Sequence, residues 1–147
     1  MNMLDQQAAV RDATLPHFDL PADRLDRTYG PGKWSVRFLL HHLADSESVF
    51  YYRLRRVISE PKQVIWVYDQ DLWAAALDYP TMPIDLSKRL YQTSREGIIR
   101  LADRHYAGSG DIWFVHSETG RRTLRDEFDK VVWHNQGHLD QIAAALA

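Results

Sequence analysis

Residues 35–61, SVRFLLHHLADSESVFYYRLRRVISEP, carry the pattern that decides the fold. Apolar side chains recur there at intervals of three and four residues, which places them along one face of a helix. These side chains are Val36, Leu39, Leu40, Leu43, Phe50, Leu54, Val57 and Ile58. Ser35 is a residue type that caps helix N-termini, and Pro61 ends the pattern. The stretch therefore predicts a long amphipathic helix with one buried face.

The same periodicity predicts three further long helices. They cover residues 2–15, residues 84–105, and the C-terminal segment that follows Thr123 as its N-cap. The expected inner face of the helix over 84–105 consists of Leu86, Leu90, Gly97 and Leu101. The expected core face of the last helix consists of Leu124, Phe128, Val131, His138, Ile142 and Ala145.

The connections between these helices complete the predicted architecture. Residues 16–33 are long for a plain loop and form either a packed irregular segment or a helical turn around residues 22–27. A short extra helix is expected over residues 69–77, and no segment alternates as a strand does. We predict an all-α, antiparallel four-helix bundle in one domain spanning residues 1–147.

The composition excludes several classes of function. The 147 residues include 18 basic and 20 acidic side chains, seven histidines and no cysteine. Absent cysteine excludes a thiol nucleophile, a thiolate zinc site and a protein disulfide. The balanced charge argues against nucleic acid and anionic membranes as partners, and no apolar run is long enough to span a bilayer. The N-terminus lacks the features of a signal peptide, so we expect a cytoplasmic protein.

Two histidine pairs could contribute to a metal site. His134 and His138 are four residues apart and share a helix face, as metal-binding pairs do, although one could be a core residue and the other solvated. Helical rotation places His42 about 100° from the centre of the apolar face and His41 about 160° from it. His42 can therefore reach the boundary with a neighbouring helix, whereas His41 should face solvent. A solvated His41–His42 pair remains the alternative.

Two familiar metal motifs are excluded by single residues. A zincin motif needs glutamate where Asn135 stands. Di-iron bundles need Glu-x-x-His pairs, but Glu47 and Glu127 are followed three residues later by Phe50 and Lys130. A mononuclear three-histidine site remains.

Several polar residues allow two interpretations each. Glu47 could act as a general base or support a ligand, or it could form an ion pair with an arginine of a neighbouring helix. Gln141 could contact substrate or close the boundary between helices. The small residues around Gly97 could leave room for a ligand or allow close helix packing. The arginines of the second helix, Arg53, Arg55 and Arg56, are expected on a solvated face.

Four motifs together resemble the DinB-like superfamily, and most closely its YfiT-like branch of metal-dependent hydrolases and thiol S-transferases. They are WSVRFLLHHLAD at residues 34–45, VYDQDLW at 67–73, HSETGRRTL at 116–124 and VWHNQGHLDQI at 132–142. The motifs occur in the family's order and extend from about residue 29 to the C-terminus. The chain departs from close relatives at Glu47 and at the positions Asn135, Gln136, Gly137 and Gln141, where they carry more histidine.

The resemblance implies a four-helix bundle that often forms a homodimer. It implies a divalent metal, zinc or nickel, held by His42, His134 and His138, and a small-molecule substrate. Two reactions fit this site: hydrolysis by activated water, and transfer of a low-molecular-weight thiol supplied as a cosubstrate. The alternative is a non-catalytic stress or binding protein with a structural or vestigial metal.

Overall fold

Six α-helices and three short strands follow one another in the computed structural model, which describes residues Met1–Ala147. They are α1 (Met3–Thr14), α2 (Ala22–Leu25), α3 (Val36–Ser59), β1 (Val64–Ile65), α4 (Gln70–Ala76), α5 (Ile84–His105), β2 (Trp113–His116), β3 (Gly120–Thr123) and α6 (Leu124–Leu146). The long helices α1, α3, α5 and α6 form the bundle, and α3 packs against both α5 and α6. The predicted four-helix bundle is confirmed. None of the helices combines the length and the apolar character needed to cross a bilayer.

Capping side chains set the starts of the two helices that carry the candidate ligands. Ser35 Oγ accepts a hydrogen bond of 3.2 Å from the amide of Phe38 at the start of α3. Thr123 and Asp126 accept from each other's amides at the start of α6. These reciprocal bonds satisfy amide groups that the first helical turn leaves free. Both predicted caps are confirmed.

The long first connection contains helical structure. A 3₁₀ helix over Leu15–Asp19 continues directly from α1, with Pro16 in its first turn, where a proline costs no hydrogen bond. The four-residue helix α2 then provides the helical turn that was one of the two alternatives for this segment.

A small sheet corrects the prediction that the chain has no strands. β1 pairs in parallel with β2, and β2 pairs antiparallel with β3 through a tight turn that ends at Gly120. Gly120 has φ +80°, a conformation that favours glycine. The strands have two to four residues, which is too short for an alternating pattern to be recognised.

A buried polar layer divides the core into two apolar clusters. One cluster includes Leu39 and Ile142, and the other includes Phe50 and Phe128. The side chains of the layer are contributed by all four long helices: Gln7, Glu47, Arg95 and Asn135. A satisfied polar network of this kind specifies the relative positions of the helices.

The buried face of α5 differs from the predicted one. Leu86 and Leu90 are exposed, whereas Tyr91, Arg95 and Ile98 are buried. The apolar pattern was misleading because the centre of the true face is a buried arginine. A Cβ atom on Gly97 would lie 2.5 Å from the Tyr51 ring, so the small residues here allow close helix packing.

Candidate metal centre

Three histidine side chains from two helices meet at one point of the bundle. His42 is on α3, while His134 and His138 are on α6. The Nε2 atoms of His42 and His134 are 3.1 Å apart, and those of His138 and His134 are 3.2 Å apart. One nitrogen from each ring lies within 4.8 Å of the others. The structure therefore brings together the three residues that the sequence singled out.

Helix geometry explains this meeting. His134 and His138 are one turn apart on α6, and their ring centroids are 4.6 Å apart. The antiparallel packing of α3 against α6 places the His42 ring centroid 5.1 Å from that of His134 and 4.7 Å from that of His138. His42 reaches the boundary between the helices, as its rotational position predicts.

Burial keeps all three imidazoles neutral at physiological pH. Desolvation lowers the pKa of His42 to about 3 and that of His134 to about 2, and it also lowers the pKa of His138. A neutral imidazole is the form that binds a metal ion. The three rings are therefore available as ligands without having to lose a proton.

The hydrogen bond between His138 and Gln141 tests whether the rings fit a metal. Nδ1 of His138 donates to Oε1 of Gln141 over 2.7 Å, so Nδ1 carries the proton and Nε2 presents its lone pair to the other two rings. Histidine ligands of metals are commonly oriented by such a bond from the non-ligating nitrogen. The arrangement fits a divalent cation bound by the Nε2 atoms.

His134 provides a second indication. Its Nε2 faces two other Nε2 atoms, but it can donate to only one of them. Its Nδ1 is buried and has no hydrogen-bond partner. Hydrogen bonds among the rings therefore leave polar atoms unsatisfied, whereas a shared cation would engage all three Nε2 lone pairs.

Aromatic rings and two hydroxyl groups surround the histidines. The Trp34 ring lies edge-on to His42 at 5.3 Å, and the Phe50 ring lies 5.5 Å from His134. Ser46 Oγ is 3.3 Å from Nε2 of His42, and the Tyr68 hydroxyl is 2.5 Å from Ser46 Oγ. Burial raises the pKa of Tyr68, so its hydroxyl keeps its proton.

A polar cleft of about 220 Å³ reaches the cluster from outside. Its walls include Lys33, Trp34, Asp71, His138 and Gln141. A larger cavity of about 600 Å³ has Tyr68 and Trp73 in its wall and no histidine. We take the smaller cleft as the entrance to the site because, of the two cavities, only this one has a histidine of the cluster, His138, in its wall.

Glu47 forms the ion pair that was its alternative interpretation. Both of its carboxylate oxygens accept hydrogen bonds from Arg95, at 2.6 and 2.8 Å, and both side chains are fully buried. Arg95 also donates to Oδ1 of Asn135, the residue next to His134. Arg95 engages both oxygens of Glu47, which places this side chain in the polar layer that positions α6.

Two predictions about surface residues are wrong. His41 is buried rather than solvent-facing, with Nδ1 2.7 Å from Ser87 Oγ and its ring against Tyr79. Tyr79, which follows α4, covers a second face of α3, and no apolar pattern in the α3 sequence indicates that this face is buried. Arg53 is also buried, and it donates to the carbonyl oxygen of Trp66 and approaches Glu127.

Sequence reasoning missed Ser46 and Tyr68 as neighbours of the histidines. Ser46 is four residues after His42 and so lies on the same helix face, a signal that could have found it. Tyr68 comes from the segment between β1 and α4, whose position no local pattern predicts.

Comparisons with known proteins agree with this fold. The profile of the DinB superfamily matches residues 6–142. Two proteins of Oceanobacillus iheyensis, each named a "putative metal-dependent hydrolase", are 31% identical over 85% of this chain and 72% of their own, and 33% identical over 86% and 73%. Accordingly, the protein belongs to the DinB superfamily.

A solved structure narrows the resemblance within that superfamily. YfiT from Bacillus subtilis, described as "a probable metal-dependent hydrolase with an unusual four-helix bundle topology", superimposes with a TM-score of 0.86 and 26% identity. The match covers 96% of this chain and 82% of YfiT. The protein is therefore a YfiT-like member of the superfamily.

Proposed function

We propose that this protein is a metal-dependent enzyme whose divalent cation is held by His42, His134 and His138. The observation that carries the proposal is the convergence of three Nε2 atoms, with the proton of His138 fixed on Nδ1 by Gln141. The names of the relatives support metal dependence.

The donor set favours zinc or nickel. Imidazole nitrogens suit both ions, and the chain offers no thiolate to select a softer metal. Three neutral ligands leave the charge of the cation undiminished, and such a cation lowers the pKa of a bound water or thiol. The residues of the chain then bind and orient what enters the cleft.

Hydrolysis of a small molecule is the reaction we favour. The cleft that reaches His138 has room for a compact ligand, and its Gln141 and Lys33 side chains supply polar groups at the entrance. An exposed entrance distinguishes a catalytic site from a closed structural one. Transfer of a low-molecular-weight thiol uses the same centre, and the sulfur then comes from a cosubstrate because the chain has no cysteine.

A substrate screen with metal-depleted and reloaded protein tests this function. Ester and amide substrates examine hydrolysis, and electrophiles supplied with a free thiol examine transfer. We expect activity that disappears on chelation and returns with zinc or nickel. A reloaded protein that turns over neither class, and whose melting temperature falls greatly on chelation, would instead be a non-catalytic member with a structural metal.

We also propose that the protein forms a homodimer. Tyr52, Val64 and Trp66 are large apolar side chains that are exposed to solvent and line the same cavity, and patches of this kind mark interaction surfaces. Sedimentation equilibrium should give twice the chain mass for the wild type and a lower value for Trp66→Arg. A monomeric wild type contradicts the proposal.

A further inference from the structure

The hydroxyl groups of buried Ser46 and half-buried Tyr68 lie one behind the other beside the ring of His42. Ser46 follows His42 by one helical turn, and its Oγ atom lies 3.3 Å from Nε2 and 3.5 Å from Nδ1 of that ring. The Tyr68 hydroxyl approaches Ser46 Oγ to 2.5 Å. The Tyr68 ring is held against Trp73, with centroids 4.6 Å apart. Neither hydroxyl is therefore a freely moving surface group.

The protons of this pair can be accounted for. The two hydroxyls carry two protons, and only one of these can lie between the two oxygens. Besides each other, the two oxygens have only the His42 ring as a polar neighbour. Ser46 Oγ does not bond to the carbonyl oxygen four residues earlier, as helical serines often do. Because Ser46 Oγ is almost equally far from the two ring nitrogens, it lies over the face of the imidazole and not in line with either lone pair, so the second proton has no acceptor in the protein.

A ligand of a cation held at Nε2 of His42 would lie next to this hydroxyl and could supply the missing acceptor. A buried donor without an acceptor is costly, so such a ligand would gain a hydrogen bond that the protein alone leaves unmade. We propose that the Ser46–Tyr68 hydroxyl pair binds the exogenous ligand of the metal by donating a hydrogen bond to it, and so favours ligands that accept one.

This inference rests on the proposed metal site. It adds that the hydroxyl pair selects which exogenous ligands the metal binds. Tyr68 donates to Ser46, and Ser46 donates to the ligand, because Ser46 is the hydroxyl closer to Nε2. Loss of Ser46 removes the donor itself. Loss of the Tyr68 hydroxyl leaves the donor but removes its support, so the smaller effect is expected there.

Azide binding to the cobalt-loaded protein tests the inference. Co²⁺ gives a visible spectrum that changes when azide, a hydrogen-bond acceptor, enters its coordination. We expect Ser46→Ala to weaken azide binding about tenfold or more, and Tyr68→Phe to weaken it less, with cobalt affinity unchanged within about twofold. Ser48→Ala is the matched control, because its hydroxyl donates to the carbonyl oxygen of Asp45 instead.

The outcomes separate this inference from the proposed function. Wild-type protein that binds no cobalt overturns both. Normal cobalt loading with equal azide affinity in all variants overturns the hydroxyl pair alone. A loss of cobalt affinity in Ser46→Ala, without a change in azide affinity of the loaded protein, also overturns it, since the pair would then only position His42. If Ser46→Ala does not fold, the cobalt affinity and the azide affinity of Tyr68→Phe are compared with those of the wild type in the same way.

Discussion

Nδ1 of His138 donates a 2.7 Å hydrogen bond to Oε1 of Gln141 and thereby points the lone pair of Nε2 towards His134 and His42. Gln141 lies three residues after His138 on α6 and also forms part of the cleft wall. One side chain thus fixes the tautomer of a candidate ligand and borders the entrance to the site.

Gln141→Ala should weaken metal binding without removing a ligand. His138 would lose the acceptor that holds its proton on Nδ1, and loss of such a partner costs about 10–100-fold in metal affinity. Competition with a colorimetric chelator measures the effect. Gln136→Ala is the control, because Gln136 is exposed and donates only to Asp140. Equal affinities for the two variants would show that Gln141 does not orient the ring.

His42→Ala and His41→Ala should differ in metal affinity although the residues are adjacent. His42 contributes one of the three converging nitrogens, so its loss should lower affinity further than the loss of Gln141 does. His41 faces Ser87 and Tyr79 on the other side of α3, so its loss should lower stability and leave metal affinity unchanged. Calorimetric titration with zinc distinguishes the two. A similar loss for both would contradict the assignment of faces.

The metal-free protein should lose stability when the solution is acidified below about pH 6.5. Burial lowers the pKa of His41 to about 4, of His42 to about 3 and of His134 to about 2, from 6.5 in the unfolded chain. As the pH falls below 6.5, these histidines bind protons in the unfolded state but remain neutral in the folded state. The free energy of unfolding therefore decreases, by up to about 1.4 kcal/mol per pH unit for each such histidine, and is flat above 6.5 with respect to these groups.

Urea unfolding of the metal-free protein at several pH values between about 5 and 8 measures this slope. His41→Phe should reduce it, since one group that gains a proton on unfolding is absent. An unfolding free energy that does not change between about pH 6.5 and 5 would mean that the histidines are not buried as neutral rings.

Glu47→Gln should destabilise the fold strongly. The variant leaves the fully buried guanidinium of Arg95 without its counter-charge, and breaking a buried pair in this way costs about 3–5 kcal/mol. Glu60→Gln is the matched control, because Glu60 pairs with Arg56 in solvent, where such a pair is worth at most about 1 kcal/mol. A small and equal effect of both changes on urea unfolding would show that the polar layer does not hold the helices together.

The helices and their caps could be predicted because their signals are local. Ser35 and Thr123 bond to amides three residues further along the chain, and α5 has the bounds that its periodicity indicates. The meeting of His42 with His134 and His138 followed from helical rotation and from the family resemblance. The resemblance was needed because spacing alone left a solvated pair possible.

Features that depend on distant segments could not be predicted in this way. Arg95 can be buried because Glu47 and Asn135, from other helices, accept its hydrogen bonds. The sequence shows only a charged residue at this position, which led to the wrong prediction of the buried face of α5. His41 is buried because Tyr79 packs over it, which the pattern of α3 does not reveal. The same holds for the hydroxyl of Tyr68, which reaches Ser46 from a segment without regular structure.

Elemental analysis of protein purified without chelator tests the central claim most directly, when the wild type and His138→Ala are measured side by side. His138 is half-buried at the end of the cluster next to the cleft, so the fold should survive its loss. We expect close to one equivalent of divalent metal per wild-type chain and almost none in His138→Ala. A wild type without divalent metal, or a variant that retains the same content, would contradict the three-histidine site.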